Sequence, residues 1–348
     1  VDRFDLKFIG RRRDWIFLSQ VLLAIALFCL GNQVIQNNVV GIIGILAFLV
    51  AFLSATQDIA VDAYRAEVLK PEERGFGAAV SVTGYRVAML VSGAGALMLA
   101  DRVGFNQTYI VMSFIMVFCA CLNFFAPDVG NQDSKDGRSG NLLLEPFRIF
   151  FSRKGAVALL AIILLYKLGD AFAGRLTTTF LLRGLGFSLT DVGAVNKGLG
   201  LIASIIGGLY GGVLMYRLGL YRSLVGFAWL QALTNFGFCL LAITGASYIG
   251  LIAVIGLENL AGGMGTAAFV ALLMAVCDRR YTATQFAILS ALASLGRVFA
   301  GPPSGYLVES FGWALFFAFT FVIALPVLYL LKRNRSSVEA YDRPGMMQ

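Results

Sequence analysis

The sequence predicts an all-helical membrane protein that crosses the bilayer many times, and three observations carry that prediction. Of its 348 residues, 58% are hydrophobic and 14% charged, whereas soluble chains run near ~45–50% and ~25%. Mean hydropathy is +0.79. The apolar residues fall in repeated runs of about 17–25, long enough to carry a helix through lipid. Together these exclude a cytosolic enzyme, a disulfide scaffold and a nucleic-acid-binding domain for which the net charge of +8 would be the footprint.

Read between polar breaks, the runs place ten spans at about 15–30, 39–59, 76–100, 108–126, 155–182, 190–215, 223–244, 249–275, 283–307 and 312–331. The first follows Arg11, Arg12 and Arg13 like the head of a secretory signal, but the nine further runs make it a membrane helix. The longest break, 127–154, opens with the flexible stretch DVGNQDSKDGRSGN. It continues as LLLEPFRIFFSRKG, whose mixture of Leu, Phe, Arg and Lys suits a segment lying on the membrane surface. The break divides the chain into an N-terminal half of four spans (1–126), a linker (127–154), a C-terminal half of six spans (155–332) and a tail (333–348).

Orientation follows from the basic residues of the loops, because cytoplasmic loops carry the excess. Alternate loops, counted from the N-terminus, hold 21 Lys and Arg, and the intervening ones hold only Arg102 and Arg183. Both ends and the linker are therefore expected in the cytoplasm, and much of the positive charge is topology. The chain is expected to act as a monomer in lipid, with no nucleic-acid partner.

Histidine is absent, so proton chemistry falls to carboxylates, Lys or Tyr. The five cysteines lie in or at the ends of apolar runs with no CxxC pair, so no metal site is expected. An ionisable side chain at mid-bilayer costs at least ~2.5–3.5 kcal/mol, which makes each one a site candidate. Five basic residues lie inside spans: Arg86, Lys167, Arg175, Lys197 and Arg297. Against them stand the three carboxylates Asp58, Asp170 and Glu258. A cavity lined by these groups would prefer an anion.

Lys167 and Asp170 are three apart and share a helix face, as a structural pair or as part of a substrate or proton path. Asn196 and Lys197 lie on the next span, and Arg175 is near enough to the surface to snorkel. Glu258, with Asn259, sits near mid-span and is the natural protonation switch where no His exists. Packing is the expectation for the glycines that follow, 262–265, since no GK[ST] makes them a phosphate loop. Gln57 and Asp58 end a span, followed by Asp62 and Arg65 as a local pair. Arg86 and Arg297 occupy corresponding places in the two halves. Tyr85, Tyr166, Gln285 and Thr177–Thr179 offer hydrogen bonds of the kind a sugar needs.

Internal similarity indicates duplication. GGLYGGVLMYRLGLYR (207–222) has a looser copy in DRFDLKFIGRRR (2–13). Equivalence of the halves would put that first copy after two further helices, and Val1 in place of Met fits the expectation that two of twelve spans are missing from this chain. Two halves, a basic motif between the second and third helix of each, and a long central loop resemble the major facilitator superfamily. SATQDIAVDAY (54–64), LKPEERGFGAAVSVTGYR (69–86), LLYKLGDAF (164–172), LTTTFLLRGLGF (176–187), VNKGLG (195–200), ENLAGGMGTAAFVALLM (258–274) and ATQFAILSALASLGRV (283–298) resemble its AmpG muropeptide permease family.

The resemblance implies a two-half helical bundle importing anhydro-muropeptides, sugar–peptide fragments of cell-wall turnover, through a bacterial inner membrane, driven by the proton gradient without a bound cofactor. It implies a gating role for Asp2, Arg3, Arg11 and Arg12 in the first copy of the basic motif and for Arg217 and Arg222 in the second. Two alternatives are a transporter of the same fold carrying another anionic cargo, such as an acyl-nucleotide, and a membrane-embedded transferase. The transferase would need a clustered constellation near the surface, and the loops are too short to hold one.

Overall fold

The computed structural model describes residues 10–33, 40–127, 145–152, 155–278 and 281–341, and every regular element among them is helical. Before the central break come α1 (Arg11–Gln33), α2 (Val40–Val68), α3 (Arg74–Leu90) and α4 (Ala96–Leu122). Within it lies α5 (Glu145–Phe151), the one described helix of the expected linker, whose residues 128–144 and 153–154 are outside those described. After it come α6 (Ala156–Leu165), α7 (Leu168–Thr179), α8 (Leu189–Val192), α9 (Gly200–Leu218), α10 (Leu220–Thr244), α11 (Tyr248–Val276), α12 (Thr282–Phe299), α13 (Gly301–Arg333) and α14 (Arg335–Glu339).

All ten expected spans are helical, and eight helical stretches among the described residues are long and apolar enough to cross a membrane. The span at 76–100 is divided between α3, a π-helical turn at Val91–Gly95 and the start of α4. The apolar part of α12, Thr282–Gly296, is shorter than a full crossing. Two of the expected loops are reduced to single residues: α4 turns at Gly104 (φ 84°, ψ 160°) and α13 at Gly312 (φ 77°, ψ 173°). A positive φ with extended ψ is a region essentially limited to glycine, so these positions let two helices meet with almost no loop.

The described residues group into two compact units. One contains the chain up to Val68, Tyr85–Pro146 and Cys277–Ala287; the other contains Leu69–Gly84, Phe147–Val276 and the chain from Ile288. In the first, α1 packs on both α2 and α4, and the Ser113 hydroxyl of α4 donates to the Ala24 carbonyl of α1 at 2.9 Å. Ile45, Phe48 and Phe52 of α2 are exposed, as suits a face toward lipid.

In the second unit, α9 lies on α11 and α10 lies on α13 and α11. Small residues set the α9–α11 approach: a Cβ on Gly207 would overlap the Leu260 carbonyl oxygen, and one on Gly263 would overlap that of Ser204. Without a hydrophobic drive between helices in lipid, such close backbone approach supplies the packing. An aromatic cluster ties α10 to α13 and to the helical turn that follows α7, with Phe317 4.8 Å from Phe180 and 5.1 Å from Phe238 between ring centroids.

Candidate transport site

The expected span 155–182 is broken. α6 ends at Leu165, and Lys167 has non-helical dihedrals (φ −103°, ψ 5°) before α7 begins. No proline marks the break. Its physical support is polar: the Lys167 ammonium donates to Asp170 Oδ2 at 3.1 Å, to Gln231 Oε1 at 2.7 Å and to the Gly262 carbonyl at 3.3 Å. Three acceptors on α7, α10 and α11 match the three donors of an ammonium group. The Asn235 side-chain amide reaches Asp170 Oδ1 at 3.4 Å, while its own buried Oδ1 has no hydrogen-bond partner among the described residues.

Glycines make room for this network. A Cβ on Gly265 would overlap the Gln231 amide, and one on Gly169 would lie 3.1 Å from the Thr320 carbonyl. Next to it the buried Tyr166 ring stacks on Phe269 at 5.6 Å, and its hydroxyl donates to the Leu224 carbonyl. The Lys167 and Asp170 side chains keep about a fifth of their surface exposed (19% and 21%), so the network is open on one side.

Gly262, which receives Lys167, is one turn beyond Glu258 on α11 and shares its face. Glu258 Oε2 accepts from the Asn259 amide at 2.7 Å, and the same amide donates to the Ile255 carbonyl. Asn259 lies where a Cβ on Gly200, the first residue of α9, would meet it at 3.0 Å. Asn196 and Lys197 lie on the π-helical segment Gly193–Leu199 just before α9, and π-bulges recur at functional sites. Asn196 reaches the Thr178 hydroxyl at 3.5 Å; the Lys197 side chain is outside the description. Lys167, Asp170, Glu258 and Asn259, expected from the sequence, thus lie in one unit and are joined through α11.

A family model described as the Major Facilitator Superfamily matches residues 1–257 and 176–345. The chain belongs to that superfamily. Within it, the anhydromuropeptide permease of Escherichia coli K12 is 46% identical over 340 residues, covering 97% of this chain and 69% of the relative. A protein named putative transporter AmpG 4, from Rickettsia conorii, is 34% identical and covers 95% of this chain and 82% of itself. These matches make the chain a member of the AmpG-type permease family. Among solved structures, a variant of the Escherichia coli fucose:proton symporter FucP aligns with a TM-score of 0.71 at 13% identity, over 94% of this chain and 84% of that one. The proton:xylose symporter XylE aligns with a TM-score of 0.68 at 14% identity, over 92% and 80%. The facilitator fold is thereby established, and its named relatives are permeases and transporters, not enzymes.

Further candidates of this facilitator lie on α1, α2, α3 and α12 or outside the described residues. Gln57 and Asp58 are on α2; further along, Arg65 pairs with Asp62 at 2.5 Å and lies over the Phe286 ring at 5.7 Å. Tyr85 is exposed, and Arg86 has a buried Nε with no hydrogen-bond partner among the described residues. Gln285 is buried, and its Oε1 accepts from the Asp278 backbone amide at 2.6 Å, bracing the turn before α12. Arg297 is on α12, with its side chain outside the description. Of the first basic motif, Asp2 and Arg3 lie outside the described residues, Arg11 opens α1, and Arg12 is buried against Glu67.

The network contains two members that sequence reasoning missed, Gln231 and Asn235. Their signal was present as two amides four apart inside an apolar run, which places both on one face of α10.

Proposed function

We propose that this chain imports anhydro-muropeptides across the bacterial inner membrane by proton-coupled alternating access, with both ends in the cytoplasm. The 46% identity over 97% of the chain to a protein named anhydromuropeptide permease carries this reading. The site chemistry is compatible with it. An ammonium held by Asp170, Gln231 and a carbonyl, next to the unpartnered Asn235 acceptor, offers charge and hydrogen bonds to a substrate carrying carboxylates and amides. Glu258 supplies the one acidic group of α11 at mid-span, and a carboxylate is the proton carrier a His-free protein has available. Transport proceeds by alternating access of the two repeat-related halves, and the protein works as a monomer.

The test is uptake of labelled anhydro-muropeptide into membrane vesicles with and without an imposed pH gradient. Accumulation that collapses when the gradient is dissipated supports the reading. Failure to accumulate this cargo under any gradient, by protein inserted at normal levels, rejects it.

A further inference from the structure

A second polar site lies where the spans end, away from the mid-span position of Glu258. A cavity of about 960 Å³ is walled by the turn before α3, the α9–α10 junction and α14, and four arginines line it: Arg74, Arg217, Arg222 and Arg335. Two carboxylates, Glu72 and Glu339, share the wall, and Glu339 is engaged by Arg335 Nε at 2.8 Å. Arg335 is further held over the Tyr221 ring at 5.4 Å. Arg217 and Arg222 are exposed and have no ion-pair or hydrogen-bond partner among the described residues. Positive-inside topology asks for basic residues at these helix ends; it does not ask that four converge on one concavity.

We propose that this cavity binds the phosphate of an anionic phospholipid headgroup. Guanidinium forks match phosphate oxygens two at a time, and Arg217 and Arg222 have that capacity unused. Glu72 opposes one of the charges, leaving the arginines in excess. Two features select a lipid over a free phosphate. The cavity sits where the spans end, at headgroup depth, and its rim carries the exposed Tyr216 and Leu218, an apolar edge along which acyl chains can lie. Basic pockets between transmembrane helices on the cytoplasmic side take anionic headgroups by this chemistry. The assignment of that side rests on the orientation proposed above.

Native mass spectrometry of the full chain in neutral detergent tests the site without any transport readout, so its failure and that of the uptake reading are separable. Phosphatidylglycerol should bind more tightly than phosphatidylcholine. Arg217→Gln with Arg222→Gln should weaken phosphatidylglycerol about thirtyfold, about fivefold for each arginine. Arg102→Gln with Arg183→Gln, which removes the same charge elsewhere, should leave its binding intact. If the double variant does not fold, each single variant carries the same test at about fivefold. Equal affinity for the two lipids, or undiminished binding by the Arg217 and Arg222 variants, overturns the site. Displacement of the lipid by millimolar inorganic phosphate or glycerol phosphate, with no preference for the lipid, assigns the cavity to a soluble anion and overturns the lipid.

Discussion

In the unit built on α1, α2 and α4 the charged groups pair at helix ends, whereas the unit built on α6–α11 and α13 also holds a pair, Lys167 with Asp170, in the middle of a span. Arg12, in the first turns of α1, holds Glu67 near the end of α2 with both side chains almost fully enclosed (1% and 8% exposed). Beside it, Arg13 donates to the Asn123 and Phe124 carbonyls, and the Asn123 amide returns a bond to the Arg13 carbonyl. These contacts staple α1 to the ends of its neighbours, and enclosure shuts them off from a ligand in water. The Lys167–Asp170 pair is looser and partly open, with a broken helix beside it and an unpartnered amide oxygen within its shell. Enclosure distinguishes a pair that holds a fold from one that can exchange partners.

That contrast can be broken by mutation. The largest expected effect is at Asp170. Asp170→Asn takes away the carboxylate that pairs with Lys167 and should cost about 2–3 kcal/mol, since the half-buried ammonium is left with neutral acceptors alone. Both gradient-driven uptake and substrate exchange should fall about a hundredfold. Adding Lys167→Gln should restore thermal stability but not transport. Recovery of transport in the double variant would reduce the pair to scaffolding.

Gly265→Ala comes next. Its methyl group would need the space of the Gln231 amide, so Gln231 must leave Lys167. Overpacking of this kind costs about 1–3 kcal/mol, and exchange should fall about tenfold, measured per folded molecule. A normal exchange rate would show that Gln231 is not needed to position the ammonium. The smallest effect on transport is expected in the first unit. Glu67→Gln should lower stability by up to about 3–5 kcal/mol, because the buried Arg12 then loses the carboxylate of Glu67. Uptake per inserted molecule should nevertheless stay at the wild-type level, and a loss of specific activity there would erase the distinction between the units.

The spans were legible because the bilayer fixes how long an apolar run must be, and the Lys167–Asp170 pair was legible because residues three apart share a helix face. The interruption at Lys167 was not. No proline or local glycine signal precedes it, and it is held by acceptors on α10 and α11 that lie 64 and 95 residues away. The Arg12–Glu67 pair, 55 residues apart, was hidden for the same reason: partners across helices are chosen by packing, which no local pattern encodes. The basic motif singled out Arg12, and its partner Glu67 had no signal in the sequence.

The central claim is that the mid-span polar network of the second unit performs transport and that Glu258 carries its proton. Glu258→Gln tests it most directly, with uptake under a pH gradient and substrate exchange without one measured on protein inserted at wild-type levels. The variant should lose gradient-driven accumulation and retain exchange. Normal gradient-driven accumulation by Glu258→Gln would contradict the claim and leave that residue to packing or substrate contact.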